Sequence, residues 1–449
     1  MMKLQHEIDC LKDPPVSQNI YNLQNNTWMQ CSQLNKVYNV TEVPTLQYAK
    51  ALYNTSRFKE AQQITNLLKG DEVNLISQQI ILRLQEEQGI YNMNQLYERQ
   101  QKEELLNVGN YFNNNIEVKT LDIYGRSIVS KSDIKIGTIL TVEKAFMVGN
   151  LPQMEQLINT RLSAATIAEQ KAYKDLKGDN MHQKYVYNIF AQGPQLNSLN
   201  QPNTSDSDLT AALMLTQSIY NHSCIPNAKW HFIGDVMFVV ASQDIKANQQ
   251  IFLRYSDIEP DRFMQTYGFK CQCQFCQLQS NEQQIVLQIR ESLTNDQIKY
   301  QSKQCNMKKS DVDALCIYQR LERAEKILLK CKDGSARKFL ASLYQSACYI
   351  YHLCMETFDQ AYYLTQKSID ALGINSKQLL SGSFSYDQNS DFGIMSISQI
   401  LNYARMTMNS YQFEQSKLIV KVAGQIFNLL TGLEMKEIMK EKLTRMSLI

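Results

Sequence analysis

A chain of 449 residues exceeds what one simple core organises, so two or three folding units are expected. Hydrophobic residues at 44% are ample for buried interiors, while scarce glycine (16) and proline (8) argue for much helix and against a chain dominated by disorder. A net charge of +2 gives no whole-chain field of the kind non-specific nucleic-acid binding uses, so a protein substrate is expected and a nucleic acid is not.

The opening run MMKLQHEIDCLKDPP puts charges where a signal peptide needs an apolar stretch. Nothing elsewhere reaches the roughly 18 apolar residues of a membrane span. The expectation is an intracellular protein without a membrane partner, cytoplasmic, with nuclear entry through a partner. Its 11 cysteines would then be reduced, the clustered ones holding metal and the scattered ones packed as buried thiols.

From about Thr41 to Gln101 apolar residues recur at helical spacing, as in Leu46, Ala49, Leu52 and Tyr53. Within that segment AKALYNTSRFKEA has the small-residue, turn, aromatic-x-x-Ala rhythm of a tetratricopeptide helix pair, in which Phe58 and Ala61 would pack one helix on the next. Short β-rich runs separated by turn residues follow from Ile116 to about Ser280: IEVKTLDIY, SIVSKS, TILTVEKAF, KWHFI, VMFVVA and QQIFLRY. KWHFI and VMFVVA are joined by Gly234-Asp235, a two-residue loop suited to a hairpin. Between Met147 and Asp208 helical turns precede an Asn/Gln/Ser/Pro-rich loop, and DLTAALMLTQSIY (Asp208 to Tyr220) reads as a helix. The rhythm of the first helix pair returns at Phe358 and Ala361, and more loosely at Phe413 and Ser416, without a regular period. The predicted class is α+β: a helical tetratricopeptide-like segment over 1–115, a strand-rich domain with a helical insert (147–208) over 116–280, and a second helical tetratricopeptide-like segment over 281–449.

The sharpest chemical signal is CQCQFC, in which Cys271, Cys273 and Cys276 are three thiols that one short turn can point at one centre. Structural zinc takes four tetrahedral soft ligands, so a fourth thiolate is needed, and spacing leaves Cys224 and Cys305 both within reach. Taken alone, Asn221 and His222 would suit the end of the helix expected before them, and Tyr255 and Tyr267 are two of 24 tyrosines.

Taken in order, YNHSCIPN (Tyr220 to Asn227), IFLRYSD (Ile251 to Asp257) and YGFKCQCQFC (Tyr267 to Cys276) resemble the SET domain and post-SET segment of the SET- and MYND-domain lysine methyltransferases. Ahead of them, YGRSIVSKSDIKIGTILTVEKAF (Tyr124 to Phe146) resembles the first β segment of SET domains. The resemblance implies a strand-rich SET domain closed by a post-SET zinc cluster, S-adenosyl-L-methionine as cofactor, and a lysine side chain of a histone or non-histone protein as substrate. It assigns cofactor binding to Gly125, Arg126, Asn221, His222, Tyr255 and Phe269. Tyr255 and Tyr267 become the catalytic tyrosines of the lysine channel, and Cys224, Cys271, Cys273 and Cys276 the zinc ligands. A monomer is the default for such an architecture, with partner peptides on the helical repeats.

The chemistry suits these residue types. Lysine has a pKa of about 10.4, so presenting a neutral amine near pH 7.4 costs about 4 kcal/mol. A narrow channel between Tyr255 and Tyr267 and a nearby sulfonium both lower that cost, and no strong general base is required. This sequence departs from the family in three places. No cysteine lies between Cys31 and Cys224, so the eight-ligand MYND finger is absent from its usual position. Ser127 follows Gly125-Arg126 where glycine is usual, and Arg254 precedes Tyr255 where a small hydroxyl residue is usual. Two readings follow: an active protein lysine methyltransferase, and a non-catalytic SET and tetratricopeptide adaptor that binds partner proteins.

Overall fold

The computed structural model describes residues 45–191, 211–255, 260–302, 314–331, 336–354, 358–386 and 394–448. Helices α1 (Leu46–Asn54), α2 (Phe58–Thr65), α3 (Asp71–Glu86) and α4 (Met93–Gln101) open it. Thr45 starts α1 by accepting the Tyr48 amide at 3.1 Å, and Asn92 starts α4 by accepting that of Gln95 at the same distance. Ala49 and Ala61 are fully buried between α1 and α2, where small side chains let the two backbones approach. Tyr53 meets Phe58 edge-on at 5.4 Å across the turn.

Strands β1 (Tyr111–Phe112), β2 (Ile116–Leu121), β3 (Gly125–Ser130), β4 (Ile139–Lys144) and β5 (Met147–Gly149) follow, close to the β-rich runs seen in the sequence. Helices α5 (Leu151–Ser163), α6 (Ile167–Lys174) and α7 (Met181–Asn188) come next, α5 and α6 each entered through a reciprocal capping box. Then come β6 (Ile189–Ala191), β7 (Ala211–Leu213), a 3-10 turn (Gln217–Ile219), β8 (Asn221–His222), β9 (Ala228–Ile233), β10 (Val236–Ala241) and β11 (Phe252–Leu253). The helix expected over Asp208 to Tyr220 is not formed in the described part of that stretch. Ala211–Leu213 pairs with both β5 and β6, so it is covered on both edges and both faces. A short apolar run of that kind has no periodicity to separate it from a buried helix. The hairpin at Gly234-Asp235 stands as expected, with Gly234 at φ +58 and Ile233 opposite Val236.

The main sheet runs β1-β4-β10-β9 and is antiparallel throughout. Strand β10 is buried along its whole length because it faces two cores. Met237, Val239 and Ala241 pack with Ile128, Leu140 and Tyr220 on one side, while Val236 and Phe238 pack with the C-terminal helices on the other. The alternation of a pleated strand thus distributes one sequence between two layers.

The remainder is helical: α8 (Pro260–Tyr267), α9 (Ser280–Ser302), α10 (Ala314–Leu328), α11 (Arg337–Cys354), α12 (Phe358–Ala371), α13 (Ser376–Leu379), α14 (Ile394–Asn409), α15 (Phe413–Thr431), α16 (Met435–Ile438) and α17 (Lys440–Arg445). Ala361 is fully buried on α12. At the third copy Phe413 is instead exposed, and Ser416 ties α15 to α14 by donating to the Ala404 carbonyl at 2.8 Å. None of the described helices is long and apolar enough to cross a membrane.

Candidate active site and metal centre

The four thiols meet. The sulfurs of Cys224, Cys271, Cys273 and Cys276 all lie within 4.8 Å of one another, with Cys224 Sγ 3.9 Å from Cys271 Sγ and 3.5 Å from Cys276 Sγ. Four sulfurs at about 2.3 Å from a central zinc stand about 3.8 Å apart, so the spacing fits a tetrahedral ion. Cys305, the other fourth ligand that spacing allowed, lies outside the described residues. None of the four is in a disulfide. Hydrogen bonds from Cys224 hold the Cys271 and Cys273 thiols below their ordinary value, and the same clustering pushes Cys224 and Cys276 up.

The cysteine turn is fastened to the C-terminal helices. Phe275 is buried and stacks on Phe339 of α11 at 4.2 Å, and Gln283 of α9 donates to the Cys276 carbonyl at 2.9 Å. Cys348 on α11 and Cys331, three residues beyond the end of α10, are buried thiols and Cys316 of α10 is half-buried, whereas Cys10 and Cys31 lie outside the described residues.

Beside the thiols, β8 and β11 form a two-residue parallel pair, Asn221 opposite Phe252 and His222 opposite Leu253. Among the described residues the element directly before Asn221 is the 3-10 turn and not an α-helix, so the helix-end role does not arise. The Asn221 amide group donates to the Arg126 carbonyl at 3.0 Å and to Ser127 Oγ at 2.9 Å, and its Oδ1 takes no bond among the described residues. Ser127, the departure from glycine, is fully buried and serves this bond. It also accepts from Gln250 at 3.1 Å and donates to the Gly125 carbonyl at 3.1 Å. Gly125 sits at φ +65, and a Cβ built on it would meet nothing within 4 Å, so the backbone there borders open space.

His222 links the thiols to the tyrosine. Its Nδ1 accepts the Tyr255 amide at 3.0 Å, which puts the proton on Nε2 of the neutral ring, and Nε2 donates to Cys224 Sγ at 3.4 Å. Both ring nitrogens are therefore spent inside the protein, and any bond from this residue to a bound molecule falls to its main chain. The Tyr255 hydroxyl donates to the Tyr220 carbonyl at 2.6 Å, and burial raises its pKa, followed by the charge of Tyr267. The Tyr255 and Tyr267 rings are 5.4 Å apart.

Two elements of the site have no counterpart in the sequence reading. Phe263 is buried against His222 (4.1 Å), Tyr267 (4.6 Å) and Phe269 (5.2 Å), at the hub of the aromatic cluster. Its signal was available, since Phe263 and Tyr267 are four residues apart on α8 and so share a face. The second is the loop after α6. Lys177 donates to the Tyr267 carbonyl and lies over the Phe269 ring at 5.4 Å, while Arg126 donates to the Asp175 carbonyl. Burial lowers the Lys177 pKa. These contacts join residues 90 and 49 positions apart, which no local pattern signals.

With this geometry in view, residues 125–256 match the family model of the SET domain, and the chain carries a SET domain. A protein described as a methyltransferase in Gibberella zeae is 22% identical over 314 residues, which cover 55% of this chain and 43% of that protein. N-lysine methyltransferase SMYD2-A of Xenopus laevis is 36% identical over 76 residues, 16% of this chain and 18% of its own length. The chain therefore spans less than half the length of these curated relatives. Among solved structures, the SET domain of LSMT bound to lysine and AdoHcy covers 79% of this chain and 96% of its own, at 11% identity and a TM-score of 0.22.

Proposed function

We propose that this protein is an S-adenosyl-L-methionine-dependent protein lysine N-methyltransferase. The observation that carries the reading is the Tyr255 hydroxyl, fixed at 2.6 Å on the Tyr220 carbonyl with the Tyr267 ring 5.4 Å away, beside Asn221 and the four thiols. The residues present fit the cofactor: Asn221 offers an unused carbonyl oxygen, and the positive-φ Gly125 borders open space. The cofactor supplies, when bound, the methyl group that a substrate amine accepts.

The chain's own part is positioning. Tyr255 and Tyr267 wall the amine against water and so favour its neutral form. The Tyr255 hydroxyl spends its proton on Tyr220, which leaves its oxygen as an acceptor toward the reacting centre. Asn221 and Arg126 would hold the amino-acid end of the cofactor, and Phe269 its adenine. Zinc on Cys224, Cys271, Cys273 and Cys276 would be structural, because a closed four-sulfur shell leaves no position for substrate. The helical segments would select the protein substrate, in the cytoplasm and, through a partner, in the nucleus.

The test is transfer of labelled methyl groups from the cofactor to proteins of a cell extract. Wild type should label lysine side chains, and Tyr255→Phe should lower the rate about 100-fold through lost positioning while still binding the cofactor in calorimetry. Cofactor binding without transfer by either protein overturns the enzyme in favour of the adaptor.

A further inference from the structure

Strand β4 places two polar side chains on a face that is otherwise apolar. Thr141 stands opposite Val239 and Glu143 opposite Met237, and those two partners belong to the core that holds Tyr220. Thr141 is fully buried and Glu143 nearly so. A carboxyl group in such a place is costly unless its hydrogen bonds are complete.

All the bonds these two side chains make run to one segment. Glu143 accepts the amide of Leu215 at 3.2 Å, that of Thr216 at 2.9 and 3.0 Å on its two oxygens, and that of Gln217 at 3.0 Å. These are the donors at the entrance of the 3-10 turn, which the turn itself leaves unpaired. Thr141 Oγ1 donates to Gln217 Oε1 at 2.6 Å and lies 3.1 Å from the Tyr220 hydroxyl. The segment so held ends at Tyr220, whose carbonyl accepts the Tyr255 hydroxyl and whose successor is Asn221. Burial raises the Glu143 pKa, and the hydrogen bonds from the three amides act the other way, toward the charged form.

We infer that Glu143 and Thr141 are positioning residues for methyl transfer, which fix the Tyr220 carbonyl and through it the direction of the Tyr255 hydroxyl. This rests on the methyltransferase reading above. Neither residue touches the reacting atoms. Without Glu143 the turn loses the acceptor for three amides, and the carbonyl at its end is free to swing. A misplacement near 1 Å costs up to about 100-fold in rate.

The experiment uses the full zinc-loaded chain with Glu143→Gln and Thr141→Val, each also combined with Tyr255→Phe. Rates of methyl transfer to the extract proteins are expressed per cofactor site titrated by calorimetry, which removes any unfolded fraction. The expected result is a fall of about 10- to 100-fold per site in each single variant, a cofactor affinity within about threefold of wild type, and no further fall in the Tyr255→Phe background. Full rates per site, or an equal loss with and without the Tyr255 hydroxyl, overturn the inference while leaving the methyltransferase reading intact. A wild type that binds cofactor and transfers no label removes the reading itself, and the inference with it.

Discussion

Ser127 shows how a departure from a family pattern is absorbed. Its hydroxyl is the acceptor that fixes both the Asn221 and Gln250 amides, so the side chain that replaces a glycine ties β3 to β8 and to the segment before β11 rather than filling the space beside Gly125. Removing it in Ser127→Ala should cost about 1 kcal/mol of stability and weaken cofactor binding in calorimetry. Unchanged affinity would show that Asn221 does not need this support. A second residue contributes to the response to acid. His231 is buried against Phe238 with its rings stacked at 5.4 Å, and burial lowers its pKa from 6.5 to about 4. Its folded pKa is depressed, so its contribution is complete above about pH 6.5 and is lost as pH falls toward and through about 4. Between pH 7 and pH 5 the wild type should lose about 2 kcal/mol more than His231→Phe in urea unfolding, and parallel losses would exclude it as the acid-sensitive group.

At the scale of elements, what was legible followed from local rules. The Gly234-Asp235 hairpin, the strand runs before it and the C-x-C-x2-C turn each announce themselves within a few residues. The stretch before Tyr220 did not, because Ala211–Leu213 becomes a strand only through pairing with β5 and β6, and that pairing is a long-range fact. Resemblance placed Cys224 beside the other thiols, where spacing had left Cys305 open. Phe263 could have been read from its helical spacing to Tyr267, whereas Lys177 and Asp175 could not, since they reach the site from the helical insert. Gly137, ahead of β4, sits at φ +82, and a Cβ there would meet the Leu429 carbonyl of α15 at 2.9 Å. Gly137→Ala should therefore cost about 2 kcal/mol or more, read as a lowered Tm, and an unchanged Tm would mean that α15 does not press on this turn.

In the molecule as a whole the SET sheet and the C-terminal helices are not separable layers. One core takes Met93 and Leu96 from α4, Val236 and Phe238 from β10, and residues from Ala341 to Leu443 of the helices. The cysteine turn belongs to a second core with α9, α10 and α11, so the four-thiol cluster joins the helical segment to the segment that carries β8. His222 carries that junction to Tyr255, because its two ring nitrogens bond Cys224 and the Tyr255 amide. Metal and methyl-donor site should consequently stand or fall together. Calorimetric titration of S-adenosyl-L-methionine into the full chain, with zinc measured on the same samples, tests this most directly. One cofactor site and about one zinc per chain are expected for the wild type, with both lost in Cys273→Ser. Cofactor binding of undiminished affinity in a zinc-free Cys273→Ser chain would contradict the account.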